Sequence, residues 1–123
     1  MAALREFHEY WGWVAIAANA LAGVVALLAW RVQGLRGRWV WGLTIGAEAA
    51  IMLQVLTGVI LVSSGDYPNL ERFHMFYGFV AFITVGLAYS YRYAMRGRLE
   101  LMYGLVGLFL MGVGIRAVLQ VVG

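Results

Sequence analysis

The chain has 123 residues, 63% of them hydrophobic and 12% charged, with a formal net charge of +3 and no cysteine. The charged fraction is about half that of a soluble domain, and a water-soluble fold of this size could not hide so much apolar surface. The missing cysteines exclude disulfides, thiol catalysis and thiolate metal sites, and with no soluble basic surface the arginines do not indicate a nucleic-acid partner.

Four apolar runs, at about 10–30, 39–62, 73–91 and 99–122, each approach or exceed the roughly 20 residues that cross about 30 Å of hydrocarbon. In lipid a backbone must satisfy its own hydrogen bonds, so the runs predict helices over about 8–31, 39–63, 70–93 and 99–122 in a single transmembrane domain. The short alternating segments of a membrane β-barrel do not appear. The first run follows Arg5, Glu6 and Glu9. It is too long, and its flank too acidic, for a secretory signal, so a retained helix is expected. On the second run Glu48, ten residues past Arg38, falls near the bilayer centre, where an ionised carboxylate is costly. It is expected to be protonated or paired, with Asn19 at comparable depth as the partner. A proton relay or quinone contact is its functional reading, and an interhelical hydrogen bond its structural one. On the fourth run Arg116 lies about 18 residues, or about 27 Å, beyond Arg98, in the outer leaflet.

The connections set the expected topology. Arg31, Arg36 and Arg38 follow the first helix, and Arg92, Arg96 and Arg98 follow the third. By the positive-inside rule these loops are cytoplasmic. The connection at 63–72, with Asp66, Pro68, Glu71 and Arg72, then lies outside with both termini. The expected location is a plasma (inner) membrane crossed four times. Trp11, Trp13, Tyr89, Tyr91 and Tyr93 suit interfacial anchoring at the helix ends.

A repeat runs through the chain. Phe7-His8-Glu9-Tyr10-Trp11-Gly12-Trp13-Val14-Ala15-Ile16 aligns with Phe73-His74-Met75-Phe76-Tyr77-Gly78-Phe79-Val80-Ala81-Phe82, an offset of 66 residues (74 minus 8). Leu53-Gln54-Val55 aligns with Leu119-Gln120-Val121, and Gly46 with Gly112, at the same offset. The pattern predicts an all-α four-helix bundle built from a tandem-duplicated hairpin, with repeats of about 1–65 and 67–123. Two helices per repeat preserve orientation, so the halves would be related by a pseudo-twofold axis along the membrane normal.

His8 and His74 are the only histidines. They occupy matching repeat positions at the outer ends of inward-running helices, where a twofold would face their imidazoles across the bundle. Bis-imidazole ligation of a haem iron requires that arrangement. The bland alternative is a pair of interfacial histidines hydrogen-bonded to water or loop. Gly12 and Gly78, four residues on and on the same helix face, would leave room for a flat macrocycle. The stripe continues as Ala15, Asn19, Ala22 and Ala26 on the first helix and Ala81, Val85 and Ala88 on the third, small residues that equally suit close helix packing. Arg116, Arg72 and Arg5 are cationic candidates for haem propionates, with snorkelling to the interface as the alternative for Arg116. Gln54 and Gln120 are read either as interhelical hydrogen-bond partners or as cofactor contacts.

His8, the segment Leu53-Gln54-Val55-Leu56-Thr57-Gly58 and the external loop leading to His74 resemble one four-helix bundle of the heme A synthase family over about 70 residues of this chain. The resemblance implies that His8 and His74 are haem-ligand positions and that the cofactor is haem b or a relative. The chain departs from the family in having one bundle instead of two, Arg5 where the family has a glutamate three residues before its first histidine, and no cysteine pair. Those departures shift the implied role from oxygen-dependent haem conversion to haem binding or electron transfer. The expected function is thus a small b-type cytochrome or a haem-carrying subunit of a membrane redox complex. Its partners would be the lipid bilayer and other subunits or a second copy of the chain. A cofactor-free structural or assembly subunit is the alternative, and a small transporter using Glu48 ranks behind both.

Overall fold

A computed structural model of the chain describes residues 2–63, 65 and 72–122, with backbone alone at 72, 73 and 120–122. Asp66, Pro68 and Glu71 of the expected external loop, and the side chains of Arg72 and Gln120, lie outside the described residues. Among the described residues the fold is all-helical: α1 (Ala2–Arg31), a 3-10 turn (Gln33–Leu35), α2 (Arg38–Ser63), α3 (Arg72–Ser90) and α4 (Leu99–Val122). Three segments, Ala2–Arg31, Arg38–Ser63 and Leu99–Leu119, are long and apolar enough to cross a membrane, and His74–Ser90 is a shorter apolar helix.

Two boundaries differ from the hydropathy reading. α1 begins six residues before the expected 8, because the helix continues through Arg5 and Glu6, which carry no apolar signal but are able helix formers. α3 ends at Ser90, short of the expected 93, and the chain passes through turns at 91–97. Gly97 closes that stretch at φ +86°, a conformation open to glycine without steric cost. At the end of α1 the Arg36 guanidinium donates to the carbonyls of Ala29 and Trp30, both at 2.8 Å. It thereby satisfies two carbonyls that the terminating helix orphans and places a cation at the negative end of the helix.

The helices form a ring in chain order. α1 packs closely on α2 and more extensively on α4, α3 packs on α4, and α2 barely touches α3. α1 and α3 stand diagonally opposite, with no backbone contact among the described residues. Backbone meets backbone along the α1–α4 seam. A Cβ on Gly107 would lie 2.8 Å from the Gly23 Cα and 2.9 Å from the Asn19 carbonyl oxygen, and one on Gly23 would lie 2.9 Å from the Gly104 oxygen. Small residues that let helices touch in this way are a main means of helix association in lipid. Shifted by the 66-residue offset, Gly23, Gly104 and Gly107 fall on Tyr89, Arg38 and Trp41. Bulky residues therefore stand where the matching α2–α3 seam would need glycine, and the two halves do not pack alike.

The interior is filled mostly by alanine. Ala15, Ala50, Ile51, Ala81, Leu110 and Val113 form one buried cluster, backed by Trp11 and Tyr77. A second joins Ala26, Ala29 and Val40 near the arginine-rich end. Outward faces carry large apolar side chains, among them Leu21, Ile45, Val59, Phe79 and Leu105, each more than half exposed.

Candidate functional site

His8 lies in the second turn of α1 and His74 at the start of α3, on the two diagonal helices. Their rings face each other with centroids 6.3 Å apart and planes inclined at 74°. Each ring is oriented by an oxygen on the neighbouring helix. His74 Nδ1 donates to the Ala117 carbonyl of α4 at 2.7 Å. His8 Nδ1 lies 2.9 Å from Thr57 Oγ1 on α2, and the Thr57 hydroxyl spends its one proton on the Gln54 carbonyl, also at 2.9 Å. Thr57 must then accept from His8, so Nδ1 carries the proton in both neutral rings and Nε2 carries the lone pair.

That pattern matches metal-ligating histidines, whose second nitrogen typically donates to a carbonyl or another oxygen that fixes tautomer and orientation. The separation fits as well. Two metal–nitrogen bonds of about 2 Å and two ring radii of about 1 Å place the centroids of opposed ligands about 6 Å apart. Among the described residues no group of three or more histidines or acids could hold a metal ion. Two imidazoles fall short of the four ligands of a structural zinc. They suffice for an iron whose other four ligands come from a macrocycle. The donor set therefore fits a haem better than a bare ion.

No protein family, curated protein or solved structure matches the chain.

The other expected site residues divide. Gly12 is buried, but the space beside it is filled: a Cβ there would lie 2.9 Å from Gln54 Nε2. Gln54 reaches this notch because its amide donates to the His8 carbonyl at 2.7 Å, and the same amide nitrogen donates a longer bond to His8 Nε2 at 3.4 Å. The Gln54 Oε1 is buried with no hydrogen-bond partner among the described residues. A Cβ on Gly78 would meet no atom of the described residues within 4 Å outside its own turn of helix. Arg116 immediately precedes Ala117, the acceptor for His74, and so stands at the histidine level with its side chain exposed. Arg5 is likewise exposed.

Asn19 does not reach Glu48. It is fully buried and donates instead to the carbonyls of Ala15 at 2.9 Å and Ala47 at 3.1 Å, because backbone acceptors on its own turn and on α2 lie nearer. Glu48 is half-buried and within electrostatic range of Tyr103, whose ring packs edge-on against Trp41. Trp11, expected at the interface, points inward and donates to the Ala50 carbonyl at 2.8 Å.

Two site residues escape a reading of the sequence. One is Thr57. The other is Gly58, where a Cβ would lie 3.0 Å from His8 Cε1, so the imidazole rests on bare backbone. Their spacing from Gln54 was visible, but the register of α1 against α2 that brings them to His8 was not.

Proposed function

We propose that the chain is a small membrane b-type cytochrome, or the haem-carrying subunit of a larger membrane redox complex, with His8 and His74 as axial ligands. The observation that carries this reading is the pair of imidazoles 6.3 Å apart on diagonal helices, each with Nδ1–H bonded to an oxygen so that Nε2 keeps the lone pair; on His8 that lone pair accepts a long bond of 3.4 Å from the Gln54 amide, which a metal would have to replace. Haem bound there would supply reversible one-electron chemistry at its iron. The chain's own residues do the rest. Thr57 and the Ala117 carbonyl hold the ring orientations, and Gly58 gives the His8 ring a flat bed. Gly78 leaves space beside His74, and Arg116, with Arg5, offers positive charge at the level where propionates would emerge.

The same proposal has the helices span a bilayer. Large apolar side chains on every outward face support lipid contact, and the clustering of arginines at one end supports a cytoplasmic placement of the loops at 31–38 and 91–98. Both termini and the histidine level then lie on the extracytoplasmic side. Ala15 and Ala81, 66 residues apart (81 minus 15), meet in one buried cluster, which supports a duplicated hairpin. The likeness to one heme A synthase bundle is kept at the level of topology and ligand position.

One observation favours a second reading, a cofactor-free structural subunit: the Gln54 amide already fills the notch at Gly12. A single experiment separates the two. Detergent-purified protein from haem-supplied cells should show sharp reduced α and β bands of a low-spin haem after dithionite. His8→Ala and His74→Ala should each lose that spectrum. A colourless preparation that stays colourless on reconstitution with haem rejects the cytochrome and leaves the structural subunit.

A further inference from the structure

Between α3 and α4, on the half of the bundle away from the histidines, runs an open groove of about 280 Å³ lined by Thr84, Leu87, Ala88, Tyr91, Met102 and Val106. Its shape follows from helical spacing. Thr84, Leu87, Ala88 and Tyr91 recur at i, i+3, i+4 and i+7 along one face, and Met102 and Val106 are one turn apart on the other wall. The walls are almost wholly apolar, since the Thr84 hydroxyl is spent on the Val80 carbonyl at 2.7 Å. At roughly the lower limit of ligand-pocket volumes, the groove has room for part of one acyl chain along its length.

Arginines adjoin one end of the groove in the chain: Arg92 follows Tyr91, and Arg98 immediately precedes α4. The Met102 amide donates to the Arg98 carbonyl at 2.9 Å, so the Arg98 backbone stands one turn before Met102. Arg98 is exposed, and among the described residues its guanidinium has no ion pair, hydrogen bond or ring contact. The neighbouring cations are engaged. Arg92 lies over the rings of Tyr89 and Tyr93 and donates to the Tyr89 carbonyl at 2.6 Å. Arg96 lies over the Tyr93 ring. Glu100, two residues from Met102, falls on the opposite side of α4 and does not neutralise this end of the groove.

We propose that this groove binds one anionic phospholipid of the cytoplasmic leaflet, with an acyl chain along Thr84, Ala88 and Val106 and the phosphate at Arg98 beside Tyr91. The inference rests on the membrane reading above. It selects an anionic lipid because Arg98, exposed and unengaged among the described residues, comes one turn before Met102 at one end of an apolar slot.

Native mass spectrometry of the full chain in detergent, titrated with phosphatidylglycerol or phosphatidylcholine, tests it. Wild type should bind the first phosphatidylglycerol about fivefold more tightly than phosphatidylcholine. Arg98→Gln should remove that preference, Val106→Phe should weaken binding of both lipids by narrowing the slot, and Arg31→Gln, at the other basic loop, should change nothing. No preference in wild type, or equal losses for Arg31→Gln and Arg98→Gln, overturns the site in favour of diffuse attraction. Failure of the membrane reading is distinct: that protein would be monodisperse without detergent.

Discussion

At the scale of single residues, the histidine pair owes its geometry to groups with no chemistry of their own. Thr57→Val keeps the shape of the side chain and removes the acceptor for His8 Nδ1–H, together with the local bond of the hydroxyl to the Gln54 carbonyl within α2. Loss of such a partner typically costs about 10–100-fold in metal affinity, so haem titration of this variant should show weakening in that range with folding intact. Unchanged affinity would reduce Thr57 to a bystander. Gly78 gives the complementary test, because a Cβ there meets nothing within 4 Å. Gly78→Leu should leave helicity and thermal stability of the haem-free protein unchanged while lowering haem content, since only a ligand would compete for that space. The two histidines were legible from the sequence because no others exist and they recur in matching contexts. Their orienting partners were not legible. A carbonyl such as that of Ala117 is available from any residue, and only the register between helices selects it.

At the scale of helices, the apolar runs located every element, since each run is bounded by arginines or turn residues that hydropathy registers directly. The ends of α1 and α3 escaped for the opposite reason: charged Arg5 and Glu6 extend a helix without extending its apolar run, and Tyr91 extends the apolar run past the helix. Seam quality was also hidden. The small-residue stripes on α1 and α3 were ambiguous between cofactor space and close packing. In the structure Gly23, Gly104 and Gly107 define the tight α1–α4 contact, whereas Ala15 and Ala81 fill the core. Gly107→Leu should therefore destabilise the bundle by at least the roughly 1–3 kcal/mol of an overpacked interior, read as a lower midpoint in thermal or detergent denaturation. Gly46→Leu, with no neighbour within 4 Å, should leave the midpoint in place. Equal effects would show that the seam is not held by backbone contact.

For the whole molecule, orientation is the property on which the proposed site depends. Reporters fused to either terminus should lie outside the cytoplasm if, as proposed, the basic loops at 31–38 and 91–98 hold the other end of the bundle inside. A cytoplasmic C-terminal reporter would overturn the topology and separate the histidines from the outer interface. The ring of helices also imposes an order on assembly. The most extensive contact joins the first helix to the last, so a growing chain carries α1 without its main neighbour until α4 arrives. During that interval His8 already has Thr57 and Gln54 on α2. His74 waits for the Ala117 carbonyl, near the far end of α4. One imidazole is thus aimed as soon as α2 is made and the other only when α4 follows, and a ligand that needs both can be locked in place only after the ring has closed.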